Sequence, residues 1–197
     1  MADSLTYAGL TSNVLSAPIV SSIFSILAPS FLGYQNILTK IVLIVIGITI
    51  YAILPFTPTF LRIAKGNKDI FISKLEERPR GFIVGMLVYI INFLAFIVIG
   101  FIYYAIFSLT SLIVAFLTLA ITLKWKVSIH MIGFCTSLTI LTIISNGLFI
   151  YAFALVPILI WVRVRTKAHS WTQVVIGTIL GIVVTYYTMT SLIGLFF

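Results

Sequence analysis

The sequence predicts an all-α fold, a polytopic membrane helix bundle of six core transmembrane helices preceded by one further hydrophobic helix. Three observations predict it. The 197 residues are 61% hydrophobic and 8% charged, with a mean hydropathy of +1.25, more apolar surface than a soluble domain of this length can bury. The apolar residues gather into runs near the roughly 20 residues that a bilayer crossing requires. The charged residues sit almost entirely in short segments between those runs.

The elements follow in order. "SNVLSAPIVSSIFSILAPSFLG" (12–33) carries many serines and two prolines, and either spans or dips in and returns. Residues 1–36 therefore read as an N-terminal hydrophobic segment and 37–197 as the bundle. The first ten residues, "MADSLTYAGL", lack the basic start of a cleavable signal peptide. "ILTKIVLIVIGITIYAILPFTPTF" (37–60) is a span with a proline-rich stop. The polar loop 61–81 follows. Residues 82–123 are long enough for two crossings, with the turn expected near Tyr103, Tyr104 and Ser108, whose polar groups suit an interface. After "KWKVSIH" (124–130), residues 131–162 give two short crossings that turn at Asn146-Gly147. "WVRVRTKAHSWTQVVIG" (161–177) leads into the last helix, 171–197.

Parity then constrains the loops. Segments 61–81, 124–130 and 163–170 are separated by two-helix hairpins, so all three open on one membrane face. They hold eleven of the twelve Lys and Arg residues, Lys40 being the exception, and both histidines. Basic loops mark the cytoplasmic side of many membrane proteins, which accounts for cations such as Arg62, Lys65 and Lys68 but not for His130 and His169. The net charge of +8 is too local to track a nucleic-acid backbone, so no nucleic-acid partner is expected. It fits anionic headgroups or a phosphate-bearing substrate. Trp125, Trp161 and Trp171 fall at span ends, where indoles anchor.

Several chemistries are disfavoured. The single cysteine, Cys135, excludes an internal disulfide and a thiolate metal cluster. The acidic residues are Asp3, Asp69, Glu76 and Glu77, a poor set for the paired carboxylates that hold Mg²⁺. There is no His-Glu-x-x-His zinc helix and no Gly-x-Ser-x-Gly nucleophile turn. No metal site and no cofactor are expected. The spans lack the mid-membrane ionisable groups of an ion pathway. Histidine with arginine and lysine on one face remains, the set needed for metal-free phosphoryl transfer.

At this point the residues resemble a family. Arg163-x5-His169-x3-Gln173 is similar to the third signature of the type 2 phosphatidic acid phosphatase superfamily, Ser-Arg-x5-His-x3-Asp. Val127-Ser128-Ile129-His130 resembles its second, Pro-Ser-Gly-His, and Lys74-Leu-Glu-Glu-Arg78-Pro79 is a fainter echo of its first, Lys-x6-Arg-Pro. The likeness covers about residues 60–185, with a helix hairpin between successive signatures. Val162 stands in place of the serine, Ile129 of the glycine, Phe71 of the lysine seven residues before Arg78, and Gln173 of the aspartate.

The resemblance implies a phosphatase-like bundle over 37–197 and metal-independent hydrolysis of a lipid phosphate or a polyprenyl diphosphate through a phosphohistidine. His169 would be the nucleophile, His130 the acid for the leaving alcohol, and Gln173 the group that orients the His169 imidazole. Arg163, Arg78 and Ser128 would hold phosphate, with Lys74 and Lys126 as further contacts. His169 is expected in the first turn of the last helix, whose dipole favours an anion. The partners implied are membrane lipids and a phosphorylated lipid whose tail stays in the bilayer through a lateral opening. The bland readings are topogenic arginines, interfacial histidines, a helix-capping Ser128 and solvated lysines. Two other functions stand beside the enzyme: a weakly active or inactive phosphatase-fold protein that binds anionic lipid or scaffolds a partner, and a small transporter. Charge counting places the basic loops in the cytoplasm, whereas the resemblance implies an extracytoplasmic site in many members.

Overall fold

The computed structural model describes residues 16–66 and 78–197, and every regular element among them is helical. The helices are α1 (Ala17–Phe31), α2 (Ile37–Ala64), α3 (Arg78–Ile99), α4 (Ile102–Thr122), α5 (Ile129–Ile144), α6 (Leu148–Arg165) and α7 (Trp171–Phe196). Five of them, α2, α3, α4, α6 and α7, are long and apolar enough to cross a membrane. The fold is an all-α helical bundle, and the protein is a membrane protein.

Local chemistry sets the helix boundaries. Asn36 caps α2 through its side chain, which accepts from the N–H groups of Leu38 (2.8 Å) and Thr39 (3.2 Å). Pro55 interrupts α2, since it has no N–H to give the preceding turn. The helix answers with a π stretch, Ile48–Ile53, and a 3₁₀ turn, Leu54–Phe56. Helix α3 starts at Arg78-Pro79, with proline where a missing N–H costs nothing.

The turn between α3 and α4 lies at Gly100, not near Tyr103 to Ser108 as the sequence reading has it. Gly100 adopts φ +83°, and Phe101 N–H donates to the Phe96 carbonyl (3.0 Å), the closing bond of a glycine-terminated helix. Tyr104 and Ser108 consequently lie inside α4 and are completely buried. Their polar atoms serve the interior: the Tyr51 hydroxyl hydrogen-bonds with Ser108 Oγ (2.9 Å) and donates to the Tyr104 carbonyl (3.2 Å). The hairpin between α5 and α6 does turn at Asn146-Gly147, both with positive φ.

Helix α1 runs as one continuous helix. Its Phe24 meets Tyr51 and Phe107 edge-on, at 5.7 and 5.2 Å between ring centroids, which joins α1, α2 and α4 in one core. Helix α5 has 16 residues, a length of ~24 Å against a hydrocarbon thickness of ~30 Å. Ten of the sixteen are buried, so it is sheathed by protein and need not match the bilayer.

Two glycines seat α7 on α5. A Cβ on Gly177 would lie 2.9 Å from the Ser128 carbonyl oxygen, and one on Gly181 would lie 2.6 Å from Cys135 Cβ. Hydrogen atoms at these i, i+4 positions let the backbones approach as small residues do in membrane helix pairs. This contact fixes where the start of α7 stands relative to the start of α5.

Candidate active site

The starts of α3, α5 and α7 and the ends of α4 and α6 meet at one end of the bundle. Two hydrogen bonds tie the segments together. Arg78 donates from a terminal guanidinium nitrogen to the Val127 carbonyl (3.1 Å), linking the first basic loop to the second. Ser128 N–H donates to the Gln173 carbonyl (3.3 Å), linking the second to the third. At the other end, Tyr103 stacks on Phe197 at 4.9 Å. The described residues of the three basic segments therefore lie at one end of the bundle, as parity requires.

The x5 spacing has a structural cause. Helix α6 ends at Arg165 and the chain reverses through Lys167, in the left-handed region at φ +52°. His169 N–H then donates to the Arg163 carbonyl (3.3 Å), which sets the imidazole over the last turn of α6, beside Arg163. Ser170 is the N-cap of α7, so His169 stands two residues before the helix and not in its first turn. The reason is a capping box, Ser170-x-x-Gln173, which fixes the start of the helix after Ser170. The Ser-x-x-Gln pattern that makes this box is legible in the sequence.

Gln173 does two things with one oxygen. Its Oε1 accepts from Ser170 N–H (3.2 Å) and lies 3.0 Å from His169 Nδ1. A backbone N–H can only donate, so the atom facing it must be the amide oxygen and not the nitrogen. His169 Nδ1 must then donate to that same oxygen, which leaves the lone pair on Nε2. Burial and the Arg163 guanidinium hold the His169 pKa down to about 4; the Gln173 bond opposes this, and Lys126 and Arg78 add to it. The imidazole is thus neutral near pH 7, with Nε2 as a base or nucleophile.

Around His169 the cations close in. Arg163 and Arg78 are buried, at 1% and 3% exposure. Arg163, His169 and Arg78 all lie near enough to His130 to act on it electrostatically. Lys126 is half-buried, whereas Arg165 and Lys167 are exposed. Ser128 stands at the N-cap position of α5, yet its side chain makes no capping bond. Its Oγ is buried without a hydrogen-bond partner among the described residues. The helix-cap role expected as its bland alternative is therefore not the one it plays.

The structure thus brings together His169, His130, Gln173, Arg163, Arg78, Ser128 and Lys126. Lys74 lies outside the described residues, as do all four acidic residues. No cluster of three or more His, Cys, Asp or Glu side chains able to hold a metal occurs among the described residues.

Arg78 also lines a partly open, mainly apolar cavity of about 170 Å³ between α1, α2, α3, α4 and α5. It extends past Gly85 to Tyr51, Tyr89 and Ile140. Five separate helices contribute to it, so no single stretch of sequence could reveal it. Comparison of the chain with protein-family models, curated proteins and solved structures gives no match.

Proposed function

We propose that this protein is a multi-pass enzyme of the cell membrane that removes phosphate from a lipid phosphate or lipid diphosphate, without metal, as a divergent relative of the type 2 phosphatidic acid phosphatases. One observation carries the reading most: Gln173 Oε1, oriented by Ser170 N–H, leaves His169 Nε2 with a free lone pair beside two buried guanidinium groups. A neutral imidazole among cations suits attack on a phosphorus whose oxygens those cations hold.

The steps balance. His169 Nε2 attacks phosphorus, the bond to the leaving oxygen breaks, and His130, which takes up a proton when the negative charge of the bound phosphate offsets the neighbouring guanidinium groups, gives that oxygen the proton. The phosphohistidine carries positive charge on the imidazole, whose Nδ1–H points at the Gln173 carbonyl. Water then attacks phosphorus, gives its proton to His130 and frees His169. Arg163, Arg78 and the Ser128 hydroxyl supply donors to the phosphate oxygens, Arg163 and Arg78 as planar, bidentate-capable groups.

The test is hydrolysis of a labelled lipid phosphate in excess EDTA, with acid-sensitive phosphoenzyme trapped by rapid quenching. Wild type should turn over and label, and His169→Ala should do neither. Full activity in His169→Ala, or activity that EDTA removes and Mg²⁺ restores, overturns the reading. A second reading has its own observation. The Gln173 amide already serves the helix cap, a role that needs no chemistry, and the site would then bind anionic headgroups only. Headgroup binding with no phosphate release would select it.

A further inference from the structure

Resting on that reading for its headgroup end, we propose that the cavity beside Arg78 seats one hydrocarbon chain of the substrate, and that its depth sets how much of the tail the protein grips. The sequence led to a tail left in the bilayer; the structure offers a compartment inside the bundle. Arg78 belongs to both places. It is anchored to the Val127 carbonyl in the cation cluster and forms part of the cavity wall. A phosphate held there has a tail that leads straight into the cavity.

Two ordered aromatic side chains, Tyr51 and Tyr89, line the far end. Tyr51 is fixed by its bonds to Ser108 and Tyr104 and stacks on Tyr89 with centroids 6.2 Å apart. Along α3, the eleven-residue step from Arg78 to Tyr89 is ~16 Å. An extended chain advances roughly 1.2 Å per bond, taking the polypeptide as a guide, so the length admits about thirteen carbons. The volume, about 170 Å³, is close to the ~150 Å³ apolar cavity that takes up one benzene, which admits about six carbons and no second chain alongside. The benefit of a longer tail should therefore end between those limits.

Gly85 offers a way to shorten the cavity without disturbing the fold. A Cβ there would meet Pro55 Cβ at 3.5 Å and the Tyr89 ring at 3.9 Å, both ordinary contacts. It stands seven residues, ~10 Å, from Arg78 along α3. A leucine at this point would cut the usable depth by about four or five carbons.

The probes are n-alkylphosphonates of four to sixteen carbons, used below their micellar concentrations, with binding to the full chain in nanodiscs followed by calorimetry. Wild-type affinity should climb by up to about fourfold per methylene and level off within six to thirteen carbons. Gly85→Leu should level off at a shorter tail. Arg78→Gln should weaken binding by a similar factor at every length. If Gly85→Leu does not fold, Ser111→Leu, from the α4 wall, takes its place. A series with no levelling, or the same break in wild type and the filled variant, overturns the proposal, because the tail then lies in lipid. Phosphonates are not hydrolysed, so the two readings fail separately. A break without turnover in the EDTA assay removes the enzyme and keeps the seat; turnover without a break does the reverse.

Discussion

Gln173 is where a single side chain can be made to separate chemistry from architecture. Its Oε1 meets both Ser170 N–H and His169 Nδ1, so Gln173→Ala removes two bonds. Loss of the cap should cost about 1 kcal/mol of stability. Loss of the bond to His169 frees the tautomer and the ring, at about 0.5–1.5 kcal/mol, or roughly 2- to 13-fold in rate, for a typical hydrogen bond. Gln173→Glu keeps the length and the capping box but places a carboxylate beside the imidazole. Such a neighbour moves a pKa by about 1–3 units, so the His169 pKa, now about 4, should rise toward the ordinary range. At about 1.4 kcal/mol per unit, the positive imidazole of the phosphohistidine would gain enough to speed attack about tenfold or more. Repulsion of the bound phosphate would appear as a raised KM. The assay is rapid-quench measurement of phosphohistidine formation in wild type, Gln173→Ala and Gln173→Glu, with melting temperatures alongside. If all three form it at rates within twofold while only Gln173→Ala melts lower, Gln173 is a helix cap and nothing more, and the assignment of His169 as nucleophile loses its support.

Other outcomes follow from the same geometry. With only two histidines in the chain, ring-carbon NMR should show His169 titrating near pH 4, and an ordinary value near 6.5 would refute its burial among cations. Because the folded pKa is depressed, the unfolded chain binds the proton first, so this group should cost stability progressively as pH falls from about 6.5 toward 4. Gly177→Ala, with its Cβ forced to 2.9 Å from the Ser128 carbonyl, should cost about 1–3 kcal/mol and most of the activity. Gly194→Ala, where a Cβ meets nothing within 4 Å, should be neutral or stabilising by up to about 1 kcal/mol; equal melting shifts in the two would show that α7 does not rest on α5 at Gly177. Lys65, Arg80, Lys124, Arg165 and Lys167 are exposed at the site end and stand apart from the buried Arg78 and Arg163, so basic-loop orientation predicts that this end faces the cytoplasm. Lys167→Cys should resist labelling by an impermeant maleimide in intact cells and react after lysis.

The bundle was legible because lipid leaves few options: apolar runs of spanning length must be helices, and loops two crossings apart must share a face. The convergence of Arg78, Ser128, His130, Arg163 and His169 was legible for that same reason, since parity does not depend on packing detail. The turn at Gly100 was misplaced because tyrosine and serine were given to the interface. A hydroxyl can instead be satisfied inside a bundle, as Tyr51 and Ser108 show. The capping box at Ser170 and the glycine pair at 177 and 181 were visible as patterns. Their meaning is a distance between α5 and α7, which only tertiary structure supplies.

The hydrogen bond from Ser128 to Gln173 also bears on the order in which the site comes into being. A ribosome delivers these helices to the membrane one after another. The Arg78 to Val127 link can close once α4 and the segment after it have emerged. The candidate site then has one wall and lacks His169. His169 and the oxygen that sets its tautomer arrive with the last helix, and that helix reaches its position only by pressing Gly177 and Gly181 against α5. On the proposed function, chemistry would wait on completion: a nascent or partly inserted chain would carry the cations without the histidine meant to attack, and turnover would itself report that α7 has docked.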